Sequence, residues 1–484
     1  MARGRAATHI RASDHKVRLD PDRLLPTDPA TRAVARHLYE RVRELPVISP
    51  HGHVDPALLL DDDAFPDPSE LLIRRDHYVT RLIHAAGVPL ERLGVPESAG
   101  GSTAVSPREV WRTFCEHWYL FAGTASGYWL QTGLVELFGI DRDPCSENAD
   151  QLFDTIQAAL ATAAFRPRAL FERFRIEVLA TTDDPMDDLA IHAALAADPT
   201  FRGRVLPTFR PDAYLDPLTP GWADRVVRLA ECNGSAASSY RGYIEGLASR
   251  RRYFVAHGAV SADHAMLQPL TVDLSESDAA ALFARALRGE LSDAEAGTFS
   301  GHMLLEMARM SVDDGLVMTL HPGVYRNHSG DTFRQFGPDT GHDIPLRTNY
   351  VEELRPLLER YGTNPNFHLV LFTVDETTFS REIAPLAGFY PSVYIGAPWW
   401  FLDAPDSVLR FRASVTETAG FYRGAGFVDD TRAFLSIPAR HDMSRRLDSA
   451  FLARLGGEGR LELGAAERIA VDLVDTLPRK VFKL

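Results

Sequence analysis

In Ser49-Pro50-His51-Gly52-His53 two imidazoles stand two residues apart, directly after an apolar run at 45–49. At a strand end, residues i and i+2 point the same way, so both rings can converge on one divalent cation while the glycine between them eases a tight turn. A carboxylate able to complete such a site stands in Asp429-Asp430-Thr431-Arg432, after the apolar stretch 426–428. Taken alone, that tetrapeptide reads equally well as a surface Asp–Arg pair. Two histidines and one carboxylate on one cation leave a coordination position open, as catalysis requires. Asp76-His77-Tyr78 opens a helical pattern, and Arg210 and Arg326 lie in loops after apolar runs. The planar guanidinium binds a carboxylate with two parallel hydrogen bonds, so several arginines at strand ends imply an anionic organic substrate. Each of them alone is equally consistent with a structural salt bridge. Trp399 and Trp400 offer flat faces to a sugar ring, or to the core.

These residues need a frame that gathers them. Short apolar, β-branched runs at 45–49, 176–181, 205–208, 253–260, 316–320, 368–372, 393–395 and 426–428 read as buried parallel strands, with helical patterns between most of them. The alternation is that of an α/β fold, and eight βα units most simply close into a (β/α)8 TIM-type barrel whose strand ends carry the site. In a closed barrel the eighth strand lies beside the first, which brings Asp430 to His51 and His53. The interval of about 125 residues between the first and second runs far exceeds a loop and one helix. An inserted helical subdomain is therefore expected after the first strand. The expected division is an N-terminal arm at 1–30, a barrel of 31–54 and 176–484, and a helical insertion at 55–175. Trp111, Trp118 and Trp129 in the insertion read as core, and the basic run 249–252 as a helix or a solvated loop.

The whole chain restricts the chemistry further. Its 484 residues are 45% hydrophobic and 24% charged, a composition of folded, water-soluble proteins. With 52 basic against 66 acidic residues the net charge is −14, which argues against nucleic acid or an anionic membrane as partner. The only lysines are Lys16, Lys480 and Lys483. Imine chemistry, a phosphate-loop lysine and a metal-bridging carbamylated lysine thus have no interior candidate, and arginine does not replace them. One metal ion is therefore expected rather than two. Cys115, Cys145 and Cys232 form no paired motif, and neither a signal peptide nor an 18-residue apolar span is visible, so a cytoplasmic location is expected. Self-association is left open, since no heptad seam announces an interface.

Read in order, the segments Leu45-Pro-Val-Ile-Ser-Pro-His-Gly-His53, Asp76-His-Tyr78, Phe138-Gly-Ile140, Ala180-Thr-Thr-Asp-Asp-Pro185, Pro207-Thr-Phe-Arg-Pro-Asp212, Ser261-Ala-Asp-His264, Gly337-Pro-Asp-Thr-Gly341, Trp399-Trp-Phe401 and Asp430-Thr-Arg-Ala-Phe-Leu-Ser436 resemble the uronate (glucuronate) isomerase family of the amidohydrolase superfamily. The resemblance runs from about Leu19 to the C-terminus. It implies a (β/α)8 barrel with a helical insertion and an aldose–ketose isomerisation of D-glucuronate to D-fructuronate, and of D-galacturonate to D-tagaturonate. It also implies His51, His53 and Asp430 as ligands of one divalent ion, expected to be zinc. Tyr78, Asp430 and Arg432 are then expected to be catalytic, with His77, Arg210, Arg326, Trp399 and Trp400 around a small uronate substrate. Moving a proton from C2 to C1 through an enediol needs a base over C2 and an electrophile on the carbonyl oxygen. Tyr78 is the expected base, with Asp430 as proton carrier. Two departures from the family pattern are Asp429, where a threonine is usual, and Phe372-Thr-Val-Asp375, where an Asn-Pro turn is usual. His257, His264 and His321 also fall near strand ends, with a core or supporting role equally open. The alternative reading is a metal-dependent hydrolase of a sugar-acid lactone or related carboxylated substrate; a binding protein without turnover is a third.

Overall fold

The computed structural model describes residues 16–98, 105–232, 234 and 239–484. They fall into two compact units: one holds Ala64–Arg166 and Ser329–His342 with the described part of Met1–Arg23, the other Leu24–Asp63, Pro167–His328 and Asp343–Leu484.

The larger unit is a (β/α)8 barrel. Val47–Ser49 pairs in parallel with Ile176–Ala180, and this with Arg204–Leu206. Pro207 has no N–H to give the ladder, and after it Thr208–Phe209 turns to the next neighbour, Ser261–Met266. Val317–Pro322, Leu369–Leu371 and Val393–Ile395 follow, all parallel. The ring closes through a bridge from Ile395 to Gly424 and through the His53 N–H, which donates to the Thr431 carbonyl at 3.0 Å. Leu369–Leu371 and Val393–Ile395 are buried on both faces, which is why they read as unbroken apolar runs. Outside them the helix Asp293–Asp314 starts on a Ser292–Glu295 capping box and stops at Gly315, whose φ of 82° ends the helix just before Val317–Pro322 begins.

Two strand expectations need correction. Residues 253–256 finish the helix Tyr240–Ala256, and the strand begins only at Ser261. Four apolar residues in a row fit a buried helix turn as well as a strand, whereas Ser261-Ala-Asp-His264 is too polar to announce a buried strand. The basic run 249–252 lies on that helix and is not wholly solvated: Arg251 is fully buried, donating to both oxygens of Asp314 at 2.6 and 3.0 Å and to Ser311 at 2.8 Å. The stretch 426–428 occupies the eighth barrel position without forming a regular strand. Gly426 there has a φ of 83°, and a Cβ on it would meet Pro478 at 2.8 Å.

The smaller unit is helical, with no strand among its described residues. His77–Ala85, Pro107–Glu116, Ala125–Phe138 and Ala149–Leu160 come from the interval between the first two barrel strands, and Gly330–Phe336 joins them from far along the chain. Trp111 is fully buried and donates to the Ala149 carbonyl at 2.9 Å. Trp129 is buried as well, while Trp118 is only half-buried. No helix among the described residues is long and apolar enough to cross a membrane.

Candidate active site and metal centre

The first strand delivers His51 and His53 to one carboxylate oxygen. Their Nε2 atoms lie 3.4 and 3.0 Å from Asp430 Oδ1, with the two rings nearly perpendicular at 82°. Gly52 between them is not in the left-handed region, and a Cβ there would approach the Ala180 carbonyl at 3.4 Å; it is closeness to the second strand, not a tight turn, that a side chain would disturb. His51, Asp430 and His321 each present a ligand atom within 4.8 Å of the others. His51 Nδ1 and His321 Nε2 are buried without a hydrogen-bond partner. Buried polar atoms are rarely left so. Imidazole nitrogens with a carboxylate oxygen form a donor set that suits a divalent ion of the zinc kind, so these residues fit such a cation.

The electrostatics agree. Burial works against a charged Asp430, yet hydrogen bonds from His51 and His53 hold it well below the usual carboxylate range. Burial keeps His53 below the ordinary imidazole value, in the neutral form that ligation needs. Burial also presses on His51, but Asp263 and Asp430 outweigh it and raise its pKa. A cation arriving on that ring would displace its proton.

Behind this cluster stands Asp263, which sequence reasoning missed because the strand carrying it was placed too early. Fully buried, it accepts from Thr319 Oγ1 and His321 Nδ1, each at 2.6 Å, and lies 3.5 Å from Arg210. Burial opposes its charge, and His321, His51 and Arg210 together hold it well below the usual range. With Nδ1 donating to Asp263, the lone pair of His321 sits on Nε2, on the side of the cluster. His321 is therefore part of this site. His264 instead turns into the core, where burial pushes its pKa down to about 4. His257 is no strand-end residue at all, since it caps the helix Tyr240–Ala256.

Arg210 also holds Asp212 at 2.8 Å. Arg432 and His53 line a cavity of about 550 Å³ whose other walls include Thr181, Thr182, Asp183 and His192. Such a volume suits a small polar ligand. Trp399 and Trp400 are both buried; Trp399 meets the His321 ring edge-on at 4.7 Å, and Trp400 lies under the Arg326 guanidinium at 4.9 Å. Arg326 in turn donates to Asp343 at 2.9 Å. The structure thus gathers His51, His53, Asp430 and Arg210 directly, and Trp399, Trp400 and Arg326 as a chain leading from His321. His77 and Tyr78 belong to the helical unit. Asp76 caps their helix by accepting from the Tyr78 N–H at 2.9 Å, and the Tyr78 ring meets Trp129 edge-on at 5.8 Å.

The profile of the family described as glucuronate isomerase matches residues 29–476. A uronate isomerase of Corynebacterium efficiens is 52% identical over 465 residues, covering 96% of this chain and 98% of that one. One of Cutibacterium acnes is 51% identical, with the same coverage. Among solved structures, a glucuronate isomerase from Caulobacter crescentus superposes with a TM-score of 0.94 at 49% identity, over 97% of this chain and 98% of that chain. A uronate isomerase from Thermotoga maritima gives 0.89 at 28% identity, over 96% and 100%. With its metal-type cluster at the barrel strand ends and these likenesses along nearly its whole length, the chain belongs to the glucuronate isomerase family.

Proposed function

We propose that the enzyme interconverts D-glucuronate and D-fructuronate, and D-galacturonate and D-tagaturonate, by proton transfer through an enediol. The observation that carries this reading is the His51–His53–Asp430 cluster, with His53 and Arg432 opening onto one cavity, in a member of this family. One divalent ion, zinc, is proposed to sit on His51, His53 and Asp430; as a Lewis acid it would polarise the substrate oxygen at the reacting carbons. Asp430, held ionised, carries a proton between substrate oxygens, and Arg432 stabilises the developing oxyanion. Tyr78 removes the C2 proton and, then carrying an exchangeable proton, returns one to C1 of the enediol; His77 binds a hydroxyl, and Arg210 or Arg326 receives the C6 carboxylate. The roles of His77 and Tyr78 rest on the family resemblance. Trp399, edge-on to His321, and Trp400, under Arg326, would offer flat faces to the sugar ring.

The test is a proton NMR time course of metal-loaded enzyme with each uronate in deuterated water. Ketouronate with deuterium at C1 is expected. No change with either sugar would overturn the reading, and acid release from a sugar lactone in a pH-stat would favour the hydrolase, which the family match disfavours. Tyr78→Phe is expected to lose at least a hundredfold in turnover, within the range of lost general-base catalysis; near-native turnover would remove Tyr78 from the mechanism. Metal analysis should find one ion per chain.

A further inference from the structure

Asp429 takes no part in the chemistry above, although it is buried next to the proposed ligand Asp430. Its carboxylate accepts from His441 Nε2 at 3.0 Å, and its main-chain carbonyl accepts from Arg440 at 3.2 Å. Both donors lie near the start of the long helix Ile437–Gly457. Arg440 is itself fixed, donating to Asp403 at 3.0 Å and to Ser436 Oγ at 3.2 Å. One residue after this anchored carbonyl, the backbone of Asp430 turns left-handed, with φ of 42°. One residue later still, the Thr431 carbonyl is taken by the His53 N–H.

A non-glycine residue holds such a conformation only where its surroundings over-determine it. Here the restraint comes from the helix start on one side and from the first barrel strand on the other. We infer that Asp429, clamped by His441 and Arg440, is a positioning residue that aims the Asp430 carboxylate at His51 and His53. The inference rests on the reading of Asp430 as a metal ligand. A buried Asp–His pair that only stabilised the fold would change the melting temperature on removal and leave the surroundings of a cation as they were.

The experiment titrates the full chain with cobalt(II), reading affinity by chelator competition and geometry by the visible ligand-field bands. Asp429→Ala and His441→Ala are each expected to weaken cobalt binding about 10–100-fold, the usual effect of losing a residue that orients a ligand, and to shift the bands. Asp429→Asn keeps an oxygen for the His441 N–H and is expected to stay within about threefold of the native chain. A folded Asp429→Ala chain with native cobalt affinity and spectrum overturns the inference, as does an Asn variant as impaired as the Ala variant. If Asp429→Ala does not fold, His441→Ala removes the same hydrogen bond and decides by the same readings. Asp430→Asn separates the two levels: if it binds cobalt like the native chain, the ligand reading falls and this inference with it. If it loses cobalt while Asp429→Ala and His441→Ala do not, only the positioning role falls.

Discussion

Carboxylates that burial treats alike are shifted in opposite directions around this site, because their neighbours differ. Asp430 and Asp263 face imidazoles and an arginine and are held ionised. Asp183, on the cavity wall, is pushed up to about 6 by burial, against the hydrogen bonds it accepts from Thr181 and the Thr208 N–H. Its folded value lies above the unfolded value near 4, so the folded chain binds that proton more tightly. The stability this contributes is complete below about pH 4 and is lost as pH rises through about 6. Asp183→Asn cannot lose it. The unfolding free energy of that variant relative to the native chain should therefore rise between pH 4 and 7.5, by at most about 3 kcal/mol, in paired urea titrations. A pH-independent difference would mean that Asp183 titrates in the folded chain as it does in the unfolded one. The histidine pair was legible in the sequence because a two-residue spacing at a strand end forces convergence, and Asp430 because ring closure puts the last strand position beside the first. Asp263, Arg440 and His441 were not, because their partners come from elements distant in sequence and each residue alone looks like an ordinary polar position.

At the scale of elements, the proposed ligands are kept in place by aromatic stacking between strand ends. The His321 ring lies on Phe372 at 4.2 Å and 11°, and on His51 at 4.6 Å and 24°. Phe372 is fully buried and abuts Gly396, just past the strand Val393–Ile395; a Cβ there would meet the Phe372 ring at 2.5 and 2.6 Å. His321, stacked on that ring, would feel its displacement. Gly396→Ala should therefore destabilise the chain by about 1–3 kcal/mol, the usual cost of overpacking, and weaken metal binding as well. Chemical denaturation and cobalt titration check the two effects, and native values in both would show that the barrel interior can yield. Strands such as Leu369–Leu371 and Val393–Ile395 announced themselves because both their faces are buried. Ser261–Met266 did not, since it spends its inward positions on Asp263 rather than on apolar side chains, and an adjacent apolar helix end drew the assignment toward 253–260.

For the molecule as a whole, the C-terminal helix Leu477–Phe482 works at the end of the barrel away from the proposed ligands. Arg479 donates to both oxygens of Glu177 at 2.7 Å, the His368 ring meets the Val481 carbonyl at 2.7 Å, and Lys483 donates to the carbonyls of Gly315 and Asn366 at 2.7 and 3.0 Å. Those residues open the barrel strands Ile176–Ala180, Val317–Pro322 and Leu369–Leu371, so one short helix ties three strands at their starts. Leu477, Val481 and Phe482 are all but completely buried. Each such side chain contributes about 1.5–3 kcal/mol, against a net stability of about 5–15 kcal/mol for a typical protein. Phe482→Ala should cost about 3–5 kcal/mol and lower the melting temperature by several degrees. Because strand starts and strand ends are separated by the packed barrel interior, cobalt affinity at 25 °C should stay native in the same variant. Native melting behaviour would show that the helix is dispensable, whereas a loss of cobalt affinity in still-folded chain would show that the two ends of the barrel are coupled and that strand position is transmitted along its length.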